Sequence, residues 1–112
     1  MDTKYNSTNY VYFFHSGRLK LIKIGRTWNV DKRLNMIRLQ GPDKDLYLLG
    51  YIEGSYGQCN GIEYYFHKLF KDHHSHGEWY RDDQVKDFAL QFNDGNHFFQ
   101  VPAYARRCNE VV

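Results

Sequence analysis

Apolar residues along this chain follow two rhythms, alternation with period two and recurrence every three to four positions, and the switches between them predict the order of elements. Residues 9–15, Asn-Tyr-Val-Tyr-Phe-Phe-His, are filled with β-branched and aromatic side chains and predict a strand. Ser16-Gly17-Arg18-Leu19 predicts a tight turn with Gly at its first central position, and residues 20–25 predict the returning strand of a hairpin. A two-residue loop would pair 15 with 20, 14 with 21, 13 with 22, 12 with 23 and 11 with 24. That register gathers Val11, Phe13, Ile22 and Ile24 on one apolar face and sets Tyr12 directly opposite Lys23 on the other.

The helical rhythm starts after Thr27-Trp28-Asn29, which can cap a helix running to about residue 40, with Val30, Leu34 and Ile37 at helical spacing and Gly41-Pro42 as the stop. Residues 46–53 predict a third strand, and residues 54–57 break it. A second helix over about 58–71 turns Ile62, Phe66, Leu69 and Phe70 inward. A histidine-rich loop at 72–77 leads to a short extended segment, Glu78-Trp79-Tyr80, whose two aromatics read as core anchors rather than as a base-stacking platform. From Asp82 or Asp83 as cap, Val85, Phe88, Ala89 and Phe92 mark a third helix. The tail, with Asp94-Gly95-Asn96, Pro102 and Arg106-Arg107, has no clear period; a packed arm and a loose end are both open. The expected fold is an α/β domain over residues 9–92, a small three-stranded, mainly antiparallel sheet flanked by helices, with a C-terminal extension at 93–112.

Composition narrows this picture. A chain of 112 residues supports one core and no second one, so any site must be built on one sheet and a few helices. Ten Tyr and eight Phe suit a packed globule, and no stretch approaches the roughly 18 apolar residues of a membrane span. The first residues, Met1-Asp2-Thr3-Lys4-Tyr5-Asn6, lack the basic-then-apolar pattern of a secretory signal, so the expected compartment is the cytosol. Cys59 and Cys108 are too few for a disulfide scaffold and read as free thiols.

Net charge is only +2, but it is unevenly spread. Residues 18–38 carry Arg18, Lys20, Lys23, Arg26, Lys32, Arg33 and Arg38 against Asp31 alone, whereas residues 39–112 carry seven basic and eleven acidic groups. A basic half beside an acidic one suits a polyanion bound at one face; a merely solvated basic face is the plainer reading.

The motifs decide what that face is for. Tyr10-Val11-Tyr12, ten intervening residues and Lys23-Ile24-Gly25 resemble the two paired motifs of the GIY-YIG nuclease superfamily. Arg33 follows Gly25 by eight positions, where that superfamily resembles this chain in placing its arginine, and Ile62-Glu63 stands where the family's metal-binding glutamate would be. The run Ile62-Glu63, His67-Lys68-Leu69-Phe70 and His76-Gly77-Glu78-Trp79-Tyr80 is similar to the phage orf172-type branch in particular. Tyr10 replaces the first Gly of the pattern and Lys23 replaces the second Tyr, a lysine that also resembles some restriction-enzyme branches.

The resemblance implies a GIY-YIG-like fold and a DNA endonuclease dependent on Mg2+ (or Mn2+). Phosphodiester hydrolysis needs an activated water, countercharge for the developing phosphorane and help for the leaving oxygen. In this reading Tyr12 is the base with Lys23 stabilising its phenolate, Arg33 offers a charged fork to phosphate, and Glu63 supplies a hard oxygen to the metal. Lys20, Arg26, Lys32, Arg38 and His67 would contact the nucleic acid. Each residue also has a plainer reading. Tyr12 could be packing, Lys23 an edge-strand charge, Arg33 part of a solvated helix face, and Glu63 the partner of His67 one turn on.

Two other functions stay open: a nucleic-acid-binding module that has lost cleavage, and a zinc-stabilised protein-interaction domain using His67, His73, His74 and His76. A chain this short reads few bases by itself, which leaves target specificity to a homodimer or a separate specificity partner.

Overall fold

A computed structural model describes residues 8–41, 43–93 and 99–102. Its elements are β1 (Asn9–Ser16), β2 (Leu21–Thr27), α1 (Val30–Gln40), β3 (Tyr47–Gly54), α2 (Tyr56–Leu69), a 3₁₀ turn (Lys71–His73), β4 (His74–His76), β5 (Trp79–Arg81) and α3 (Asp82–Leu90). The strands form one antiparallel sheet in the order β3-β1-β2-β5-β4. The sheet therefore has five strands where three were expected. The two additions are three residues each, and β4 is His-Ser-His, with no alternation to betray it. Gly77, at φ +53, makes the reversal between them.

The hairpin register also differs from expectation. Tyr12 pairs with Gly25, Phe13 with Ile24, Phe14 with Lys23 and Ser16 with Leu21, so the β1–β2 loop holds four residues and not two. The loop closes with Lys20 in the left-handed region at φ 57, where its carbonyl accepts from the Asp82 amide at 3.0 Å. A slip of two preserves the parity of a strand, so every side chain keeps its expected face while its neighbour changes. Val11, Phe13, Ile22 and Ile24 still share one face.

That face meets α2 and α3 in the larger core, with Ile52, Cys59, Ile62, Phe66, Phe70, Val85, Ala89 and Phe92. Serine at the entry to α2 makes a reciprocal capping box: the Ser55 hydroxyl accepts from the Gln58 amide, and the Gln58 side chain accepts from the Ser55 amide. The cap starts the helix two residues earlier than expected. Leu69 is exposed, so only Ile62, Phe66 and Phe70 of the four expected positions are buried. Phe99 and Val101 of the tail pack on this same core. The expectations for residues 1–6, Pro42, residues 94–98, Arg106-Arg107 and Cys108 fall outside the described residues.

The opposite face carries Tyr12 and Phe14, stacked at 3.9 Å between ring centroids, under Val30, Leu34 and Ile37 of α1. Asn29 caps α1 as expected, accepting from the Lys32 amide. At the turn end of the sheet His15, buried, bonds the Tyr47 hydroxyl at 2.7 Å and Asp82 at 2.9 Å, joining β1, β3 and the start of α3. No helix among the described residues is long and apolar enough to cross a membrane.

Gly50 lies where β3 passes the end of α3, and a Cβ there would come within 2.8 Å of the Ala89 carbonyl oxygen and 2.9 Å of that of Phe92. Both obstacles are backbone, so Gly50→Ala is expected to lower stability by about 1–3 kcal/mol. Gly57, inside α2 with nothing near the added methyl, is expected to respond the other way, gaining about 0.5–1 kcal/mol as alanine. Urea denaturation of the two variants checks the pair of signs.

Candidate active site

Strand β2 runs to Thr27, but β5 pairs with it only from Leu21 to Lys23; beyond that, a single bond from the Ile24 amide to the Glu78 carbonyl ends the contact. Among the described residues, no strand pairs with the outer edge of the last residues of β2. Alternation sends Arg26 to the α2 face and Lys23 and Gly25 to the α1 face. At this edge the two faces communicate, and the charged groups of both gather.

Glu63 and His67 stand one turn apart on α2, and Glu78 reaches them from the turn before β5. Ligand atoms from the three lie within 4.8 Å of one another. Arg26 donates to Glu63 Oε1 at 3.3 Å and lies 4.8 Å from the ring centre of Tyr56. His67 Nε2 faces Glu63 Oε2 at 3.4 Å, while its Nδ1 is bonded to the Tyr80 hydroxyl. A carboxylate only accepts, so the proton sits on Nε2 and Nδ1 accepts from Tyr80. The same hydroxyl can accept from Nδ1 if Nε2 becomes a ligand, which makes Tyr80 a support for either tautomer. Burial pushes the Glu63 carboxyl up, but His67 and Arg26 outweigh it and hold the acid below its ordinary value.

Tyr12 lies wholly buried beneath this cluster, its ring against Gly25, where any Cβ would overlap the hydroxyl. That close approach is what the glycine of Lys23-Ile24-Gly25 permits. The hydroxyl meets the Arg33 guanidinium in a contact too poorly aligned to count as a well-formed hydrogen bond. Burial pushes its pKa up to about 12; Arg33 opposes the rise, and Glu78 and Glu63 add to it. The expected pairing of Tyr12 with Lys23 is therefore replaced: Lys23 stands across from Phe14 and pairs with Glu78 at 3.3 Å, and the cation acting on the phenol is Arg33. Burial, then Glu78 and Glu63, likewise lift Tyr80 to about 12.

Arg26, Lys32 and Arg33 line one groove of about 390 Å³, with Thr27, Trp28, Met36 and Tyr56. Glu63, His67 and Glu78 line an adjoining opening of about 420 Å³ with Tyr80. The structure thus brings Tyr12, Lys23, Arg26, Lys32, Arg33, Glu63 and His67 to one end of β2. It leaves two expected contacts elsewhere. Lys20 lies at the hairpin loop, the far end of the strand, and Arg38 donates to the Leu46 carbonyl at 2.7 Å, fastening α1 to the start of β3. Glu78 and Tyr80 were not among the expected site residues; the Gly77-Glu78-Trp79-Tyr80 run was the signal that could have drawn attention to them. The other histidines diverge, His73 to Asp83, His74 to the Gly77 carbonyl and His76 onto Trp79. Among the described residues they form no metal-binding group, and the zinc reading has no geometric support.

The chain belongs to the T5orf172 domain family, whose pattern matches residues 9–111, nearly its whole length. This is a phage-associated, nuclease-like domain. No curated protein and no solved structure matches the chain.

The lowered Glu63 pKa has a consequence for stability. A carboxyl depressed on folding stabilises the fold above its unfolded value, near 4.5, and that contribution is lost as pH falls through the depressed folded value. Glu63→Gln is expected to flatten the acid side of the stability profile while leaving its shape above neutrality unchanged. Urea midpoints measured across the acid range check this.

Proposed function

We propose that the protein is a metal-dependent endonuclease of the GIY-YIG type that hydrolyses phosphodiester bonds in DNA. The observation that carries this reading is the meeting, at one end of β2, of a carboxylate–imidazole–carboxylate group, an arginine-lined groove and a wholly buried phenol held beside Arg33.

The donor set fits a divalent cation. Glu63 and Glu78 offer the hard oxygens that magnesium prefers, and the His67 imidazole inclines the set toward manganese. When bound there, a divalent cation supplies Lewis-acid charge to phosphate oxygens and offsets the two carboxylates that raise the Tyr12 phenol. Arg33 and Arg26 hold the phosphate oxygens by charge and fork geometry, and Arg33 answers the negative charge that grows there in the transition state. Tyr12 is protonated at neutral pH in the free protein, so its work as a base for the attacking water depends on that raised pKa being brought down by the cations around it. Lys23 keeps Glu78 in place from below, through the pair at 3.3 Å.

One observation favours a protein that binds without cutting: Arg26 already occupies Glu63 Oε1. Supercoiled plasmid incubated with protein and magnesium or manganese separates the readings, nicking for the nuclease and a mobility shift without nicking for the binder. Glu63→Ala is expected to abolish nicking while leaving the shift. Arg33→Ala is expected to slow nicking by about 10²–10³-fold, with Arg33→Lys restoring only part.

The pH profile separates Arg33 from Lys23. Removing Arg33 as methionine removes the one influence that lowers the Tyr12 pKa, so the alkaline-rising limb of the rate should move to higher pH. Lys23→Met should lower the rate without moving that limb. A limb that shifts in Lys23→Met and not in Arg33→Met would reverse the two assignments.

A further inference from the structure

Beside the basic groove lies a second hollow of a different character. It measures about 280 Å³ and is lined by Tyr10, Tyr51, Trp28 and Leu48, with Asp31 at its rim. Tyr10 and Tyr51 meet edge to face at 5.5 Å across β1 and β3, which fixes both rings. Trp28 is 44% exposed although it is the largest apolar side chain near the site. Together with Asn29, it lines both hollows, so the aromatic pocket opens directly off the groove that carries Arg26, Lys32 and Arg33.

Three fixed or half-exposed rings, one carboxylate and an adjoining row of cations match the parts of a single nucleotide: a flat π surface, exocyclic amino hydrogens and a phosphate. We infer that the Tyr10–Trp28–Tyr51 pocket holds a base displaced from the helical stack while its flanking phosphates lie in the groove of Arg26, Lys32 and Arg33. This rests on the nucleic-acid reading of that groove and adds to it a class of substrate: a strand with an unpaired nucleotide near the point of contact. A fully stacked duplex has its ring faces covered and offers the pocket nothing. Asp31 adds a chemical preference. A carboxylate accepts from the amino group of cytosine, adenine or guanine, whereas thymine presents carbonyl oxygens on either side of its single ring N–H. An amino-bearing base is therefore favoured over thymine.

The test is equilibrium binding by fluorescence anisotropy in chelator, with no cleavage involved. The probes are three labelled duplexes of one sequence, fully paired, with a single bulged cytidine and with an abasic residue at the bulge, and a fourth with a bulged thymidine that reads base preference. The bulged duplex is expected to bind about tenfold or more tighter than the paired one, the abasic bulge to lose that gain, and a bulged thymidine to recover only part of it. Trp28→Ala is expected to remove the preference for the bulged over the paired duplex, and Trp28→Phe to keep most of it. Asp31→Asn is expected to narrow the gap between cytidine and thymidine. Equal affinity for the bulged and abasic probes, or a bulge preference that survives Trp28→Ala, overturns the base pocket while leaving the groove intact. Absence of binding to all four overturns the pocket and the nucleic-acid reading together. Circular dichroism of each variant confirms that the fold is retained.

Discussion

Strand β2 outruns the partner on its outer side, and the site exists because of that mismatch in length. Where β5 stops, no strand among the described residues covers the outer edge of Ile24–Thr27, so side chains that alternation would keep on opposite sides of the sheet come together around its rim. Arg26 turns to Glu63 on the α2 side; Lys23 and the ring of Tyr12 remain on the α1 side; Glu78, at the entrance to β5, touches both. Were β5 as long as β2, the same residues would form two unrelated surface pairs. The shortness of β5, which made it hard to see in the sequence, is what creates the reactive end.

The charges at this end are arranged in opposition. Glu63 is kept ionised by an imidazole and a guanidinium despite burial, whereas Tyr12 and Tyr80 are kept protonated by burial and by the carboxylates next to them. Each group thereby holds the form its neighbours need: the carboxylate accepts from Arg26 and His67, and the Tyr80 hydroxyl keeps a proton with which to steady His67. Separation of pKa values between adjacent groups is a frequent mark of reactive sites, although structural ion pairs produce it as well.

Much of the fold could be read from the chain. The three longer strands and all three helices follow from period, and Asn29 caps α1 as expected, but α3 already begins at Asp82 after Arg81 with no side-chain cap where Asp82 or Asp83 was expected to cap it. Strand parity placed Val11, Phe13, Ile22 and Ile24 correctly even though the loop length did not. Parity is robust to a slip of two, but cross-strand neighbours are not, and so the face of Tyr12 was legible while its partner was not. The approach of Arg33 to Tyr12 was not legible, because it depends on how α1 crosses the sheet, which no local pattern encodes. Glu78 escaped for a related reason. Its nearness to Glu63 arises from the β4–β5 reversal, and two three-residue strands carry too few residues to show a period. Leu69 shows the limit from the other side: its spacing fits the inward face, but it sits at the edge of the stripe marked by Ile62, Phe66 and Phe70 and stays exposed.

The bond from His15 to Asp82 and Tyr47 lies at the hairpin end of the sheet, and the reactive groups lie at the other. The domain is thus divided along the length of β1 and β2 into a fastened end and an end where charged side chains gather. Substitutions at Arg26, Lys32 or Arg33 leave the fastening untouched, whereas Tyr12, Val30, Leu48 and Tyr51 also pack the smaller core and answer to both demands. A domain of this size has little surplus stability to lose, so change at this end is best tolerated in its cations.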